Sequence, residues 1–143
     1  MRIRKFNEKD TKQVISLISN VLYEIFKVKP ANIELDKGFF MAGGMLYVAE
    51  HQHEIVAVIG IKKHKNSIAK LKRFYVKKSY RGTGLAQKLY NKALSFAKTH
   101  GYTKIILSTT LQMKAAINFY QKQGFKKYRT NYRKNQIYMY KDI

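Results

Sequence analysis

Between Ile68 and Ala97 the hydrophobic pattern changes period once, and a pair of glycines stands at the change. Ile68 to Val76 reads as a strand carrying Leu71 and the aromatic pair Phe74-Tyr75. Beyond it Leu85, Leu89, Ala93, Phe96 and Ala97 recur at the 3.6-residue spacing of a helix with one apolar face, and Gly101 is placed to close that helix. The joint is Val76-Lys77-Lys78-Ser79-Tyr80-Arg81-Gly82-Thr83-Gly84-Leu85-Ala86. A strand that turns through glycine into a helix aims unpaired main-chain N–H groups and the positive end of the helix dipole at one spot, with no Cβ in the way. Those are the makings of a pyrophosphate cradle. The joint is not a Walker loop, which ends in Gly-Lys-Ser/Thr, and the glycine spacing and the lack of a following acid exclude the dinucleotide fingerprint.

The rest of the chain fits one unit around that joint. With 143 residues there is room for one domain, covering residues 1–143. A hydrophobic share of 45%, with 11 Tyr and 8 Phe, excludes disorder. Met1 to Phe6 reads as a short strand, and Asp10 with Gln13 resembles a capping box that opens a helix on Val14, Leu17, Ile18, Val21, Leu22 and Ile25, ending near Lys29. Ile33 to Gly44 gives weak signals and reads as a loop. Met45 to Glu50, Ile55 to Lys62 and Ile68 to Val76 predict an antiparallel meander with a hairpin turn at His51-Gln52-His53-Glu54. Tyr102 to Ser108 follows as a strand whose run Ile105-Ile106-Leu107 predicts burial on both faces. A helix over Ala115 to Gln123, closed by Gly124, and two strands near Phe125 to Thr130 and Gln136 to Tyr140 complete the order.

Charge narrows the chemistry. Lys and Arg number 29 against 8 Asp and Glu, a formal net charge of +21, which predicts an anionic partner by long-range steering. No acid occurs from Ile55 to Lys141, so any catalytic carboxylate comes from the first 54 residues or Asp142. The absence of Cys excludes a cysteine nucleophile and thiolate metal sites, and no metal is expected. The N-terminus lacks a signal-peptide pattern and the longest apolar run, Ile55 to Ile61, is too short to span a bilayer, so a cytoplasmic protein without a membrane partner is expected.

Arg81-Gly82-Thr83-Gly84-Leu85-Ala86 resembles the Arg/Gln-x-x-Gly-x-Gly/Ala motif of the GNAT family of N-acetyltransferases. Leu71-Lys72-Arg73-Phe74-Tyr75-Val76 is similar to that family's strand before the cradle, and Ala115 to Phe125 resembles its Ala-x-x-Phe/Leu-Tyr-x-x-x-Gly-Phe signature. The resemblance implies a mixed α/β (α+β) fold with a mostly antiparallel six- to seven-stranded sheet flanked by about four helices. It also implies a splay between the strand ending at Val76 and the one ending at Ser108, where acetyl-CoA lies as co-substrate. The cofactor residues so implied are Phe74, Tyr75 and Val76 for the pantetheine arm and Arg81, Gly82, Thr83, Gly84, Leu85, Ala86 and Gln87 for the pyrophosphate. Lys77 and Lys78 stand close enough in sequence to add charge.

The family's reaction, direct acetyl transfer from the thioester to an amine, assigns Tyr120 as the acid that protonates the departing thiolate. Here the sequence departs from the family in three ways. Lys70 occupies the position where many relatives carry the Glu that takes the amine's proton, Ser108 falls where other relatives carry an acid, and Met113 stands where many have Asn. Ser108 is no substitute base, which leaves Glu50, His51, His53, Glu54, water, or an amine already neutral. A lysine-type amine is neutral in about one molecule in 2,000 at pH 7 and an α-amine in about one in ten. The acceptor therefore leans to an α-amine or an amino-acid-like small molecule, unless Glu24, Glu34, Asp36, Glu50 and Glu54 gather into a site for cations. Two alternatives stand beside this reading. One is a nucleic-acid-binding module using Lys126 to Lys134, where basic residues alternate with tyrosines, and the other is a CoA-binding protein without turnover. Monomer and homodimer are equally compatible with the sequence.

Overall fold

A computed structural model describes residues 1–143. In chain order the elements are β1 (Arg2–Lys5), α1 (Thr11–Phe26), β2 (Met45–His51), β3 (Glu54–Lys65), β4 (Ile68–Val76), α2 (Leu85–Thr99), β5 (Lys104–Thr109), α3 (Lys114–Lys122), β6 (Lys126–Asn131) and β7 (Gln136–Asp142). The seven strands form one sheet in the order β1-β2-β3-β4-β5-β7-β6, antiparallel throughout except for β4 beside β5. The meander and its turn are where the sequence puts them, with Gln52 and His53 both in the left-handed region. Three α-helices and three short 3-10 turns stand where about four helices were expected.

Each face of the sheet has its own core. One face carries Val56, Ile59, Ile61, Leu71, Ile105, Leu107 and Met139 against α2 and α3. On the other face α1 lays Val14, Leu17, Ile18 and Val21 over Val48, Ile55 and Val58. This second cover reaches only the first half of the sheet. In consequence Ile105 and Leu107 are buried but Ile106 between them is half-exposed, so β5 is covered on one face and not on both as its apolar run predicted. No helix follows α1 on that side to hide the second face.

Two further expectations are corrected at α1. The capping box lies one turn earlier than Asp10-Gln13, because Asn7 caps the 3-10 turn Glu8–Asp10 and the Asp10 carboxylate accepts the Asn7 N–H at 2.8 Å. Asp10 also takes both arms of the Arg4 guanidinium, at 2.8 and 2.9 Å, which holds its carboxyl below the usual carboxylate range. Gln13 is left to tie α1 to β3, accepting the Ile55 N–H at 2.9 Å. The helix stops at Phe26 because Lys27, at φ 60, turns left-handed.

The segment between α1 and β2 is pinned rather than loose. Asp36 caps the 3-10 turn Lys37–Phe40, and Phe39, 2% exposed, packs against Gly60 of β3. A Cβ at Gly60 would overlap the Phe39 ring. Gly60→Val therefore lowers the unfolding free energy by about 3 kcal/mol, the upper range for overpacking a filled core. Urea denaturation measures this, and adding Phe39→Leu restores part of it.

Candidate active site

β4 and β5 pair only from Ile68 to Lys70 against Lys104 to Ile106, while β5 continues alongside β7 to Thr109. Past Lys70 the two strands part, and the β4 edge is left without a neighbour. A bulge bends β4 here: Val58 and Gly60 of β3 face Tyr75 and Lys72, and Arg73 between them takes φ 56. At the end of β4 the Lys77 N–H bonds the Val56 carbonyl of β3 at 2.8 Å, so by alternation the Val76 carbonyl points to the open side.

A cleft of about 350 Å³ follows that edge. It runs from Arg81 and Ala86 at the head of α2 to Gln112 and Met113 at the head of α3, with Val21 and Ile25 of α1 as one wall. Phe74, Tyr75, Val76, Phe119 and Tyr120 form the rest of its lining, the Phe74 ring lying 5.6 Å from Phe119 and 6.3 Å from Tyr120. Of the residues singled out in the sequence, Phe74, Tyr75, Val76, Arg81, Ala86 and Tyr120 thus meet in one place. Val21 and Ile25 carried no signal of their own, being indistinguishable in the sequence from the core-facing residues of α1.

The turn at the head of α2 is shaped for an anion. Gly82 and Gly84 have φ of 74 and 86, and no protein atom lies within 4 Å of the space a Cβ would fill at either. The N–H groups of Gly82, Thr83, Gly84, Leu85, Ala86 and Gln87 donate to no acceptor in the chain, whereas Arg81 before them bonds the Lys78 carbonyl and Lys88 after them the Gly84 carbonyl. The side chains of the turn, though exposed, bond back to the protein. Arg81 donates to the Val76 carbonyl and to Glu24, both at 2.9 Å, and Thr83 donates to the Tyr80 carbonyl. Leu85 is core, and Gln87 exchanges hydrogen bonds with Gln123. Consecutive free donors at a helix head, on a loop braced from behind, suit the oxygens of a diphosphate.

Tyr120, 7% exposed, also lines the cleft, and its hydroxyl makes no hydrogen bond within the protein. Burial first, then the hydroxyls of Tyr75 and Tyr90, push its pKa well above that of a free phenol. It stays protonated, a donor and not a base. No carboxylate or imidazole lines the cleft. His51 and His53 lie at the hairpin turn, His51 against Tyr80 at 5.8 Å. Met113 heads α3, its sulfur accepting the Thr109 hydroxyl at 3.3 Å.

The acids do not gather. Glu50 pairs with Arg4, Glu54 with Lys77, Glu24 with Arg81, and Asp36 with Lys62 and Lys72 at 2.9 and 2.8 Å. A cationic acceptor site built from them is therefore not formed, and no three His, Asp or Glu are placed to hold a metal. Asp36, beside the Lys72 ammonium above all, sits far below the usual carboxylate range. Lys70 joins no ion pair. Burial, and then the charges of Lys72 and Lys62, lower its pKa, with Asp36 opposing. The run Lys126 to Lys134 forms β6 and its turn, with Arg129 stacked 4.6 Å over Tyr138.

The same architecture recurs in solved acetyltransferases. A GNAT-family acetyltransferase from Staphylococcus aureus Mu50 superposes with a TM-score of 0.84 at 22% identity, over 99% of this chain and 98% of that one. The PaiA N-acetyltransferase of Thermoplasma acidophilum, solved in complex with coenzyme A, gives 0.83 at 19% identity over 99% and 98%. In sequence the chain is 29% identical over 99 residues to rat N-acetyltransferase 8F1, covering 66% of this chain and 45% of that one. It is 33% identical over 85 residues to N-acetylaspartate synthetase of Xenopus tropicalis, 59% of this chain and 31% of that one. The chain thus spans less than half the length of these relatives. No helix is long and apolar enough to cross a membrane. The profile of the acetyltransferase (GNAT) family matches residues 12–125, which take in the parted strands, the cradle and Tyr120, and by that match this chain belongs to the GNAT acetyltransferase family.

Proposed function

We propose that residues 1–143 act as a single catalytic unit in the cytoplasm, moving an acetyl group from acetyl-CoA to an amine. The observation that carries this reading is that one largely apolar cleft is lined both by the head of α2, where the six N–H groups of Gly82 to Gln87 are free, and by Tyr120, whose hydroxyl is unbonded. The diphosphate would rest on those amides. The pantetheine arm would lie along β4 from Val76 towards Phe74, as a strand does, although the Val76 carbonyl must first give up its bond from Arg81. That arrangement delivers the thioester to Tyr120.

The neutral amine attacks the thioester carbonyl carbon, forming the C–N bond. The C–S bond then breaks as the carbonyl re-forms, and the Tyr120 hydroxyl gives its proton to the leaving sulfur. The proton lost by the amine passes to water and returns to the phenolate, so the enzyme ends as it began. With no carboxylate or imidazole lining the cleft, an amine that is already neutral in useful amount is favoured, which supports an α-amine.

A panel of amines with acetyl-CoA, read by free thiol released, tests the proposal. Thiol is expected only when acetyl-CoA and an accepted amine are both present. Acetyl-CoA binding without release from any amine would leave a carrier without turnover. The nucleic-acid reading forecasts the reverse pattern, with oligonucleotide binding that survives about 200 mM salt.

A further inference from the structure

The uncovered face of the sheet has a charge pattern that the proposed reaction does not account for. Register places Lys62 of β3, Lys70 of β4, Ile106 of β5 and Tyr140 of β7 in one row across four strands. Neighbours in such a row stand about 5 Å apart. Lys72 lies two residues further along β4 on the same face, at the point where β4 and β5 have parted. Lys70 is thus the last residue of β4 paired with β5 and Lys72 stands where the gap opens, ahead of the stretch from Phe74 to Val76 that lines the cleft. The one nearby carboxylate, Asp36, is bonded to Lys62 and Lys72 through one oxygen and to the Gly38 N–H through the other, and not to Lys70. Lys70, half-buried, has no acidic partner.

An ammonium that is partly desolvated, unpaired and crowded by two others is costly to hold. A carboxylate brought in by a ligand would relieve it. We infer that Lys70, backed by Lys72, is the anchor for a carboxylate of the acceptor, and that the acceptor is a small acidic amino acid presenting its α-amine to the thioester. This rests on the acetyl-transfer reading above. The same cations repel polyamines and aminoglycosides, and Asp36 fixes Lys62 and Lys72 in place without cancelling the excess charge.

Three variants and two acceptors test the assignment. Aspartate and glycinamide serve as acceptors, with free thiol as readout and kcat and KM separated. Wild type is expected to prefer aspartate by at least about tenfold in kcat/KM, although its amine in solution, beside its own carboxylates, is neutral less often than that of glycinamide, because the lysines hold the carboxylate and their charge disfavours the ammonium form of the bound amine. Lys70→Met lowers kcat/KM for aspartate by about 30-fold, mostly through KM, and changes glycinamide by less than about threefold. Lys70→Arg keeps the preference, because a guanidinium still binds a carboxylate although it cannot act as a base. Lys70→Glu reverses the preference. Equal losses on both acceptors, death of Lys70→Arg on both, or a wild type indifferent to acceptor charge would each overturn the anchor. Calorimetry of N-acetylaspartate into the CoA-loaded protein gives a second reading, expected to show binding that Lys70→Met abolishes, and an absence of wild-type binding also overturns the anchor. Thiol release from no amine at all, by contrast, strikes at the catalytic reading itself.

Discussion

Tyr120→Phe lowers kcat by about 10²- to 10³-fold and leaves acetyl-CoA affinity within about twofold of wild type, the range expected when one positioned proton donor is removed. The side chain is well placed to separate chemistry from structure. Its ring packs against Phe74, Phe119 and Phe125 at 5.6 to 6.3 Å, and all of that packing survives the change. Its hydroxyl bonds nothing in the protein, so no buried partner is orphaned and thermal stability is unchanged or slightly raised. Turnover and calorimetry on the same preparation give both numbers. If kcat is unchanged, Tyr120 is only a wall of the cleft.

Gly84→Val raises the dissociation constant of acetyl-CoA by at least about 100-fold, since the new side chain would fill the space in front of the free amides and strain the loop that aims them. The fold is spared a clash, because nothing stands within 4 Å of that Cβ position. What remains is the conformational cost of a branched residue at φ 86, about 1–2 kcal/mol. Gly101 is the matched control: its φ is 78, it too has nothing within 4 Å, and it closes α2 at the end away from the cleft. Gly101→Val is expected to cost the same stability and leave acetyl-CoA binding intact. If the two variants bind alike, the cradle is in the wrong place.

The parts of this site that are readable in the sequence are those made by neighbours along the chain. A strand, two glycines and a helix face lie within about thirty residues, and period plus backbone freedom locate them. Tyr120 is legible only through its family signature, since an aromatic on an amphipathic helix is otherwise core. What stays hidden is produced by residues distant in sequence. Ile105-Ile106-Leu107 looks doubly buried, and only the reach of α1 decides that Ile106 faces out. The bulge at Arg73 has no glycine or asparagine to announce it, because the β3 register imposes it. Asp10 reads as a local cap until Arg4, brought alongside, claims its carboxylate. Asp36, in a stretch of weak signals, joins Lys62 and Lys72 only once the meander has formed.

The two halves of the sheet are sewn together by three residue pairs, Ile68 to Lys70 with Lys104 to Ile106, and by nothing further along those strands. On the proposed reading, a pantetheine thread laid in the seam becomes an eighth, removable strand. Each turnover would then add that strand to the seam and strip it out again, while the three pairs and the shared core beneath them hold the two halves together.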